Sequence, residues 1–353
     1  MKKTILRRAL PCALFLLSVL SVRGGSPQGL DVTIHTLGNG MQVWLNEDHS
    51  TPTVMGMVVV RAGAKDCPDT GIAHYFEHMM FKGTDRIGTA DYAAEKPLLD
   101  SIERHYSLLK DAPSEEARHA ILKKINEFSV AAARYAVPNE FSNLISEFGG
   151  SGLNAWTSFD NTVYHNTFAS GNMEPWLELN SERLLNPVFR LFQSELETVY
   201  EEKNMYSDAL GGEALERAQE RAFRPHPYAR PIIGTTENLK NPDLHAMREF
   251  YGKYYVGGNM ALILSGDFDA ETTLPLIEKY FSASPRERLR LWKCPLRRHS
   301  TDAKRRRSES PYRSSRAGLR HGAPRGRTIR TRSCSTWRER SCPTTTGRDF
   351  WTN

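Results

Sequence analysis

The chain has 353 residues, a quarter of them charged, and its formal net charge of +6 is the sum of three unlike parts. Residues 1–25 carry +5, residues 26–284 carry −14 and residues 285–353 carry +15. The positive net charge of the whole chain is therefore not the net charge of any one folded domain, and by itself it does not indicate a nucleic-acid-binding protein. The acidic middle part, about 250 residues long, is large enough for one substantial hydrophobic core.

The first residues have the pattern of an export signal. Four basic side chains lie within residues 1–8, an apolar stretch follows from Ala9 to Val22, and Gly24-Gly25-Ser26 breaks it. This pattern predicts a cleaved signal peptide over residues 1–25 and a periplasmic or secreted protein. The apolar stretch is shorter than the roughly 20 residues that a membrane-spanning helix needs, so no stable membrane span is expected. A retained membrane anchor is the alternative.

The middle part alternates strands and helices. Residues 32–44 predict two strands joined by a turn at residues 37–40, and Val54–Val60 predicts a continuous apolar strand. A further strand is predicted at Val163–Phe168. Helical periodicity predicts helices at about residues 175–185, 194–206, 213–223, 244–254 and 271–281. We therefore expect an α+β fold with a mixed or antiparallel sheet and helices on one side.

The most informative segment is His74-Tyr75-Phe76-Glu77-His78. On an α-helix, His78 lies about 40° round from His74 and Glu77 about 60° the other way, so the three side chains share one face. Two neutral imidazoles can bind Zn²⁺ while leaving an open coordination position for a water, and an adjacent carboxylate can take the proton that the metal acidifies. The alternative is a chance occurrence of hydrogen-bonded core histidines.

The surroundings of this segment favour a buried helix. Asp69 and Thr70 offer helix-capping side chains before it, and Met79-Met80-Phe81 continues the apolar run until Lys82-Gly83-Thr84. Two imidazoles and an acid on one buried face would be costly without a metal. The segment therefore predicts a metal-binding helix.

The segment between Ala94 and Gly149 has a different pattern. Apolar residues recur at helical spacing on two otherwise charged stretches. They are Leu98, Ile102, Tyr106 and Leu109 in the first stretch, and Ile121, Ile125, Phe128 and Ala132 in the second. We interpret residues 95–149 as an inserted helical hairpin packed near the metal-binding helix. A hairpin with no role beyond packing is the alternative.

A zinc site needs a third protein ligand, and the helix predicted at residues 194–206 offers two candidates. Glu195 and Glu202 are seven residues apart, so two helical turns bring them to about the same azimuth. One carboxylate can ligate while the other supports a ligand from behind. The alternative is a solvated acidic helix face.

These blocks together resemble a known family. The run from Gly71 to Thr84 closely resembles the inverted zinc motif of the pitrilysin, insulinase and mitochondrial processing peptidase family. Residues 152–164 are similar to its Asn-Ala-x-Thr strand region, and the glutamate pair of the 194–206 helix is similar to the one in that family. Three later segments also match the family pattern in the same order along the chain: His226-Pro227-Tyr228, Ile233-Gly234 and residues 259–267. The resemblance spans about residues 31–283.

The resemblance implies roles for the site residues. His74, His78 and Glu202 would bind one Zn²⁺ per chain, Glu77 would be the general base, and Glu195 would be the supporting carboxylate. The neighbouring Glu201 is an alternative third ligand, but the seven-residue spacing favours Glu202.

The resemblance also implies how a substrate is bound. Asn154 and Ala155 would lie on an edge strand that pairs with an extended peptide. A plain turn-to-strand segment is the alternative. The substrates would be peptides or proteins, cleaved by an endopeptidase.

One departure from the family pattern concerns spacing. Glu202 follows His78 by 124 residues, whereas the family usually has well under a hundred. The excess falls in residues 95–149. Such insertions resemble a bacterial branch of the family that is often exported.

The character of the chain changes after Ser284. Residues 285–353 hold 20 basic side chains, 18 of them Arg, against 5 acidic ones, with almost no hydrophobic periodicity. This composition predicts a disordered tail, which we interpret as translation in a shifted frame. The alternative, a nucleic-acid-binding tail, has the phosphate-binding charge but no aromatic residues interleaved for stacking on bases, so no nucleic-acid partner is expected.

Two functional hypotheses follow from the resemblance. Members of the family enclose their substrate between two or more homologous domains, and residues 26–284 match only the amino-terminal, metal-bearing one. The first hypothesis is a zinc metalloendopeptidase. The second is a truncated, inactive peptidase-like subunit that binds zinc and a peptide or partner chain. In both, a second homologous domain or chain is the expected partner that completes the clamshell.

Overall fold

The computed structural model describes residues 30–67, 71–209, 211–240 and 242–286, with the side chain of Lys110 excepted. The predicted signal peptide, the Arg-rich tail and the expected capping residues Asp69 and Thr70 lie outside the described residues. The strands are β1 (Thr33–Thr36), β2 (Gln42–Glu47), β3 (Thr53–Val60), β4 (Ser151–Thr157), β5 (Thr162–Ala169) and β6 (Met260–Gly266).

Ten α-helices accompany these strands in the described part of the chain. They are α1 (Ile72–Met79), α2 (Tyr92–Lys110), α3 (Glu115–Ala133), α4 (Glu140–Glu147), α5 (Met173–Leu185), α6 (Phe192–Asp208), α7 (Gly212–Phe223), α8 (Thr236–Lys240), α9 (Leu244–Tyr254) and α10 (Ala270–Phe281). None of the helices that the structure describes is long and apolar enough to span a membrane.

The six strands form one mixed sheet in the order β1-β2-β6-β3-β5-β4. The pair β2 and β6 is parallel, and every other neighbouring pair is antiparallel. Strand β6, the last of these six in the sequence, therefore lies inside the sheet, and β4 forms one edge. The expected mixed α+β fold is confirmed.

One face of the sheet is buried and the other is partly exposed. Alternating residues such as Val43, Val58 and Leu262 are completely buried, whereas Trp44 and Met55 on the other face are more than a third exposed. The helices therefore cover one face, because side chains alternate between the two faces of a strand.

Helix α5 contacts the buried face through an aromatic side chain. The Trp176 ring stacks on Phe168 of β5 with 4.8 Å between ring centroids, and its Nε1 donates to Asn166 Oδ1 over 2.8 Å. A Cβ on Gly56 of β3 would lie only 2.3 Å from this indole. Glycine at position 56 is therefore required for the close approach of helix and sheet.

Helices α2 and α3 form the predicted hairpin, and α4 is an additional helix after it. Ile102, Tyr106 and Leu109 of α2 and Ile125 and Ala132 of α3 are buried, as their spacing predicted. The five helices predicted after residue 174 are also present, with bounds that differ by no more than two residues from the expected ones.

Candidate metal centre

Helix α1 begins at a glycine that no other residue replaces without strain. Gly71 precedes the helix with φ 64°, and a Cβ there would lie 2.5 Å from the carbonyl oxygen of Ile233. The apolar side of α1, including Phe76 and Met79, is completely buried. The hydroxyl of Tyr75 donates to the carbonyl oxygen of Phe192 over 2.5 Å, so α1 is fixed against the start of α6.

Three potential metal ligands meet between α1 and α6. Nε2 of His74 lies 3.6 Å and Nε2 of His78 3.5 Å from Oε2 of Glu202, and the ligand atoms of all three residues lie within 4.8 Å of one another. Ligand atoms around a tetrahedral zinc, at about 2.0–2.1 Å from the ion, are about 3.4 Å apart. The two distances to Glu202 are close to this value, and two imidazole nitrogens with one carboxylate oxygen are a donor set that suits a zinc ion.

The two histidines differ in how they are held. Nδ1 of His78 lies 2.8 Å from Oε1 of Glu195, and the other oxygen of that carboxylate contacts Nζ of Lys82. Nδ1 of His74 is buried and has no hydrogen-bond partner among the described residues. Only the His78 imidazole is therefore oriented from behind by a carboxylate, an arrangement that fixes the tautomer of a ligating histidine.

Glu77 lies on the same helix face and is held by a strand residue. Oγ1 of Thr157, at the end of β4, donates to Oε2 of Glu77 over 2.6 Å. Glu77 is buried, and burial raises the pKa of its carboxyl group although the Thr157 hydrogen bond opposes the shift. A raised pKa suits a carboxylate that accepts and returns a proton near neutral pH.

The environment separates the pKa values of the two imidazoles. Burial and the neighbouring His78 lower the pKa of His74 to about 4. Burial also disfavours charge on His78, but hydrogen bonds to Glu195 and Glu202 outweigh it and raise its pKa to about 9. The hydrogen bonds with His78 in turn hold the pKa of Glu195 and of Glu202 below the usual range of a glutamate. Glu195 and Glu202 are therefore ionised near neutral pH, and their carboxylates attract a cation.

The entry to α6 determines where its two glutamates lie. Leu191 precedes the helix with φ 54°, a left-handed conformation that is uncommon for a residue with a side chain. The residues around it are anchored: Arg190 is buried, the Phe192 ring packs against Tyr75 and Tyr106, and the Tyr106 hydroxyl donates to Oε1 of Gln193 over 2.5 Å. The hairpin helix α2 thus contacts the helix that carries Glu195 and Glu202.

The cluster lies in the wall of an open cavity of about 700 Å³. Asn154 and Ala155 line the same cavity from the edge strand β4, which pairs only with β5 in the described sheet. The remaining lining residues include aromatic and aliphatic side chains: Phe81, Trp156, Phe159, Tyr206, Leu215, Ile232 and Ile233. Thr157 at the end of the same strand contacts Glu77, so β4 borders the cluster.

All seven residues singled out in the sequence therefore border one cavity: His74, Glu77, His78, Asn154, Ala155, Glu195 and Glu202. Two further residues contact the predicted ones and have no role predicted from the sequence: Lys82 contacts Glu195, and Thr157 contacts Glu77. Both lie within the family-like segments 71–84 and 152–164, but no residue spacing signals a contact between segments about 80 to 110 positions apart. Glu201, the alternative ligand, is absent from the cluster that brings three ligand atoms together.

A mixed α+β domain with a His-x-x-Glu-His helix beside an open cavity is an architecture of the metallopeptidase class. The chain belongs to the family Insulinase (Peptidase family M16), whose sequence pattern matches residues 42–97 and 110–236, or 183 of the 353 residues. The match is interrupted at residues 98–109, inside α2. A second match, to the Peptidase M16 inactive domain, covers residues 243–317 and so extends past Ser284.

Several relatives are zinc proteases or processing peptidases. The chain is 25% identical to "Zinc protease PqqE" of Helicobacter pylori over 70% of this chain and 46% of that protein. It is 22% identical to "Mitochondrial-processing peptidase subunit beta" of Dictyostelium discoideum over 71% of this chain and 44% of that protein. The chain therefore spans about half the length of the curated relatives it matches.

The fold is also found among solved structures. The first half of the periplasmic protease PqqL from Escherichia coli superposes with a TM-score of 0.54 at 21% identity, covering 74% of this chain and 48% of that one. At this identity the likeness concerns the fold alone.

Proposed function

We propose that the chain is the metal-bearing part of a zinc-dependent metalloendopeptidase that hydrolyses peptide bonds in extended peptides or proteins. The observation that carries the proposal is the convergence of His74, His78 and Glu202 beside Glu77 in one open cavity. The naming of relatives as zinc proteases supports the metal. One Zn²⁺ would be held per chain by the two imidazoles and the Glu202 carboxylate.

In this proposal each side chain has a separate task. A zinc ion bound at the cluster supplies a Lewis acid that acidifies water and polarises the scissile carbonyl. Thr157 holds Oε2 of Glu77, so Oε1 is the oxygen expected to take a proton from the attacking water and return it to the leaving amine. Asn154 and Ala155 would pair with the substrate backbone as an added strand.

The location and the partner of the chain are part of the same proposal. The predicted signal peptide and the likeness to a protein named a periplasmic protease support a periplasmic or secreted enzyme, with membrane anchoring by a retained leader as the alternative. A second homologous domain or chain would close the substrate cavity, which the coverage of about half of each relative supports.

The match to only about half of each relative's length also favours a second candidate function. The chain by itself would bind zinc and a peptide or partner chain without hydrolysing it, because the opposite wall of the cavity would come from the partner. Zinc binding is common to both candidates, and peptide hydrolysis by the purified chain distinguishes them.

Zinc affinity provides the direct test of the ligand set. Glu202→Ala should weaken zinc binding by about 100-fold or more, beyond the 10–100-fold typical of losing a supporting residue. Competition with a chromophoric chelator measures the dissociation constant. Glu201→Ala is the matched control on the same helix and should bind zinc like the wild type. Equal losses in both variants, or none in Glu202→Ala, would overturn the assignment.

The orientation of the base can be tested separately. Thr157→Val should lower kcat about tenfold with little change in KM, because a hydrogen bond to a charged group is worth about 1.5–3 kcal/mol and positions the reacting carboxylate. Steady-state hydrolysis of an unstructured peptide is the measurement. Thr167→Val, on β5 at the exposed face, is the control and should retain the wild-type kcat.

A further inference from the structure

Glu195 lies between a metal-binding imidazole and an ammonium group. Its Oε1 lies 2.8 Å from Nδ1 of His78, and its Oε2 contacts Nζ of Lys82. The Glu195 side chain is only 11% exposed and that of Lys82 is 22% exposed. This is therefore a largely buried ion pair rather than a surface one, and such a carboxylate is costly to leave without a cation.

Charge balance shows why the ammonium matters when a metal is present. Glu77, Glu195 and Glu202 carry three negative charges around the two imidazoles, which must be neutral to ligate. A zinc ion contributes two positive charges, and Lys82 contributes the third. With the metal on the Nε2 side of His78, the imidazole no longer carries a charge that offsets Glu195, so Lys82 is the cation that the structure places against this carboxylate.

The backbone holds Lys82 in this place. Its carbonyl oxygen accepts a hydrogen bond of 2.8 Å from Nη1 of the buried Arg190, and Gly83 turns the chain immediately afterwards with φ 94°. The ammonium is therefore presented from a fixed turn at the end of α1. Lysine at this position is distinct from the four residues that would bind or activate the metal site directly.

We propose that Lys82 is a positioning residue for the metal centre, acting through Glu195. By fixing the Glu195 carboxylate in place, Lys82 keeps the His78 Nδ1 proton directed at that carboxylate and leaves His78 Nε2 free to face an ion. This inference rests on the proposed zinc site and goes beyond it, since it assigns a role to a residue that is neither a predicted metal ligand nor the predicted base.

The experiment measures zinc affinity of the purified full chain by chelator competition. Lys82→Met should raise the zinc dissociation constant about tenfold, at the low end of the effect of outer-shell changes. Lys82→Arg should stay within about threefold of the wild type, because it restores a cation next to Glu195. In a Glu195→Gln background, Lys82→Met should cause no further loss, because the charge it balances is gone.

Lys65→Met is the matched control, since Lys65 is likewise largely buried in an ion pair with Asp66 and is not among the residues that line the cavity. It should leave zinc affinity unchanged. Unchanged affinity in Lys82→Met, or the same loss with and without Glu195→Gln, would overturn the inference alone. A wild-type chain that binds no zinc would overturn the proposed function together with it. Should Lys82→Met fail to fold, the zinc affinities of Lys82→Gln and Lys82→Arg provide the same comparison of a neutral with a cationic side chain.

Discussion

Replacing Glu77 by Gln should lower the rate of peptide hydrolysis by a factor of about 10²–10⁴, the usual contribution of a positioned general base. Glutamine keeps the size of the side chain and can still accept the hydrogen bond from Thr157, but it cannot take a proton from water. The measurement is kcat on an unstructured fluorogenic peptide, with a chelator-treated sample as the baseline.

Zinc binding by this variant separates the base from the ligands. Glu77 is not among the residues whose ligand atoms converge, so Glu77→Gln should bind zinc with nearly wild-type affinity. Glu201→Gln is the control and should retain both the zinc affinity and the rate of peptide hydrolysis of the wild type. Hydrolysis that survives in Glu77→Gln would contradict the assigned role. A wild-type chain that binds zinc but cleaves no peptide would favour the second candidate, a binding subunit.

Replacing Arg190 by Met should reduce the free energy of unfolding by about 3–5 kcal/mol, because it leaves a buried carboxylate without its partner. Nε and Nη2 of Arg190 each lie 3.0 Å from an oxygen of Glu95, and both side chains are almost completely buried. The same guanidinium donates to the carbonyl oxygens of Lys82, Thr84 and Ile87. Urea denaturation measures the loss.

Two further variants test this explanation. Asp100→Asn removes an exposed ion pair with Lys96 on the same helix as Glu95 and should change the free energy of unfolding by no more than about 1 kcal/mol. Adding Glu95→Leu to Arg190→Met should recover part of the loss, since no charge is then buried unpaired. A loss below about 1 kcal/mol in Arg190→Met itself would contradict the role of the pair.

Much of the fold followed from local patterns in the sequence. Helices α2, α3, α9 and α10 were predictable because apolar residues recur at helical spacing on charged segments, and β3 because it is an uninterrupted apolar run. Helix α4 was missed within the insertion, where eight residues are too few for a clear period. The parallel pairing of β2 with β6 was not predictable, because period-2 alternation gives the face of a strand and not its neighbour.

Part of the candidate site is likewise predictable from local sequence, and part depends on the tertiary fold. The relation of His74 to His78 is set within one helical turn, so it can be read from the sequence, as can the seven-residue spacing of Glu195 and Glu202. The contacts of Thr157 with Glu77 and of Lys82 with Glu195 join segments that only the tertiary fold brings together. The buried pair of Arg190 and Glu95 runs against the composition rule that charged residues lie outside, so no local pattern signals it.

The position of β6 has a consequence for the order of folding. This strand is made last of the six, yet it is inserted between β2 and β3, so the sheet cannot close until residues 260–266 have been synthesised. We therefore expect the two 19-residue hairpin helices to form first as local structure, with the cluster of His74, His78 and Glu202 assembling in a late, cooperative step that joins residues distant in the sequence.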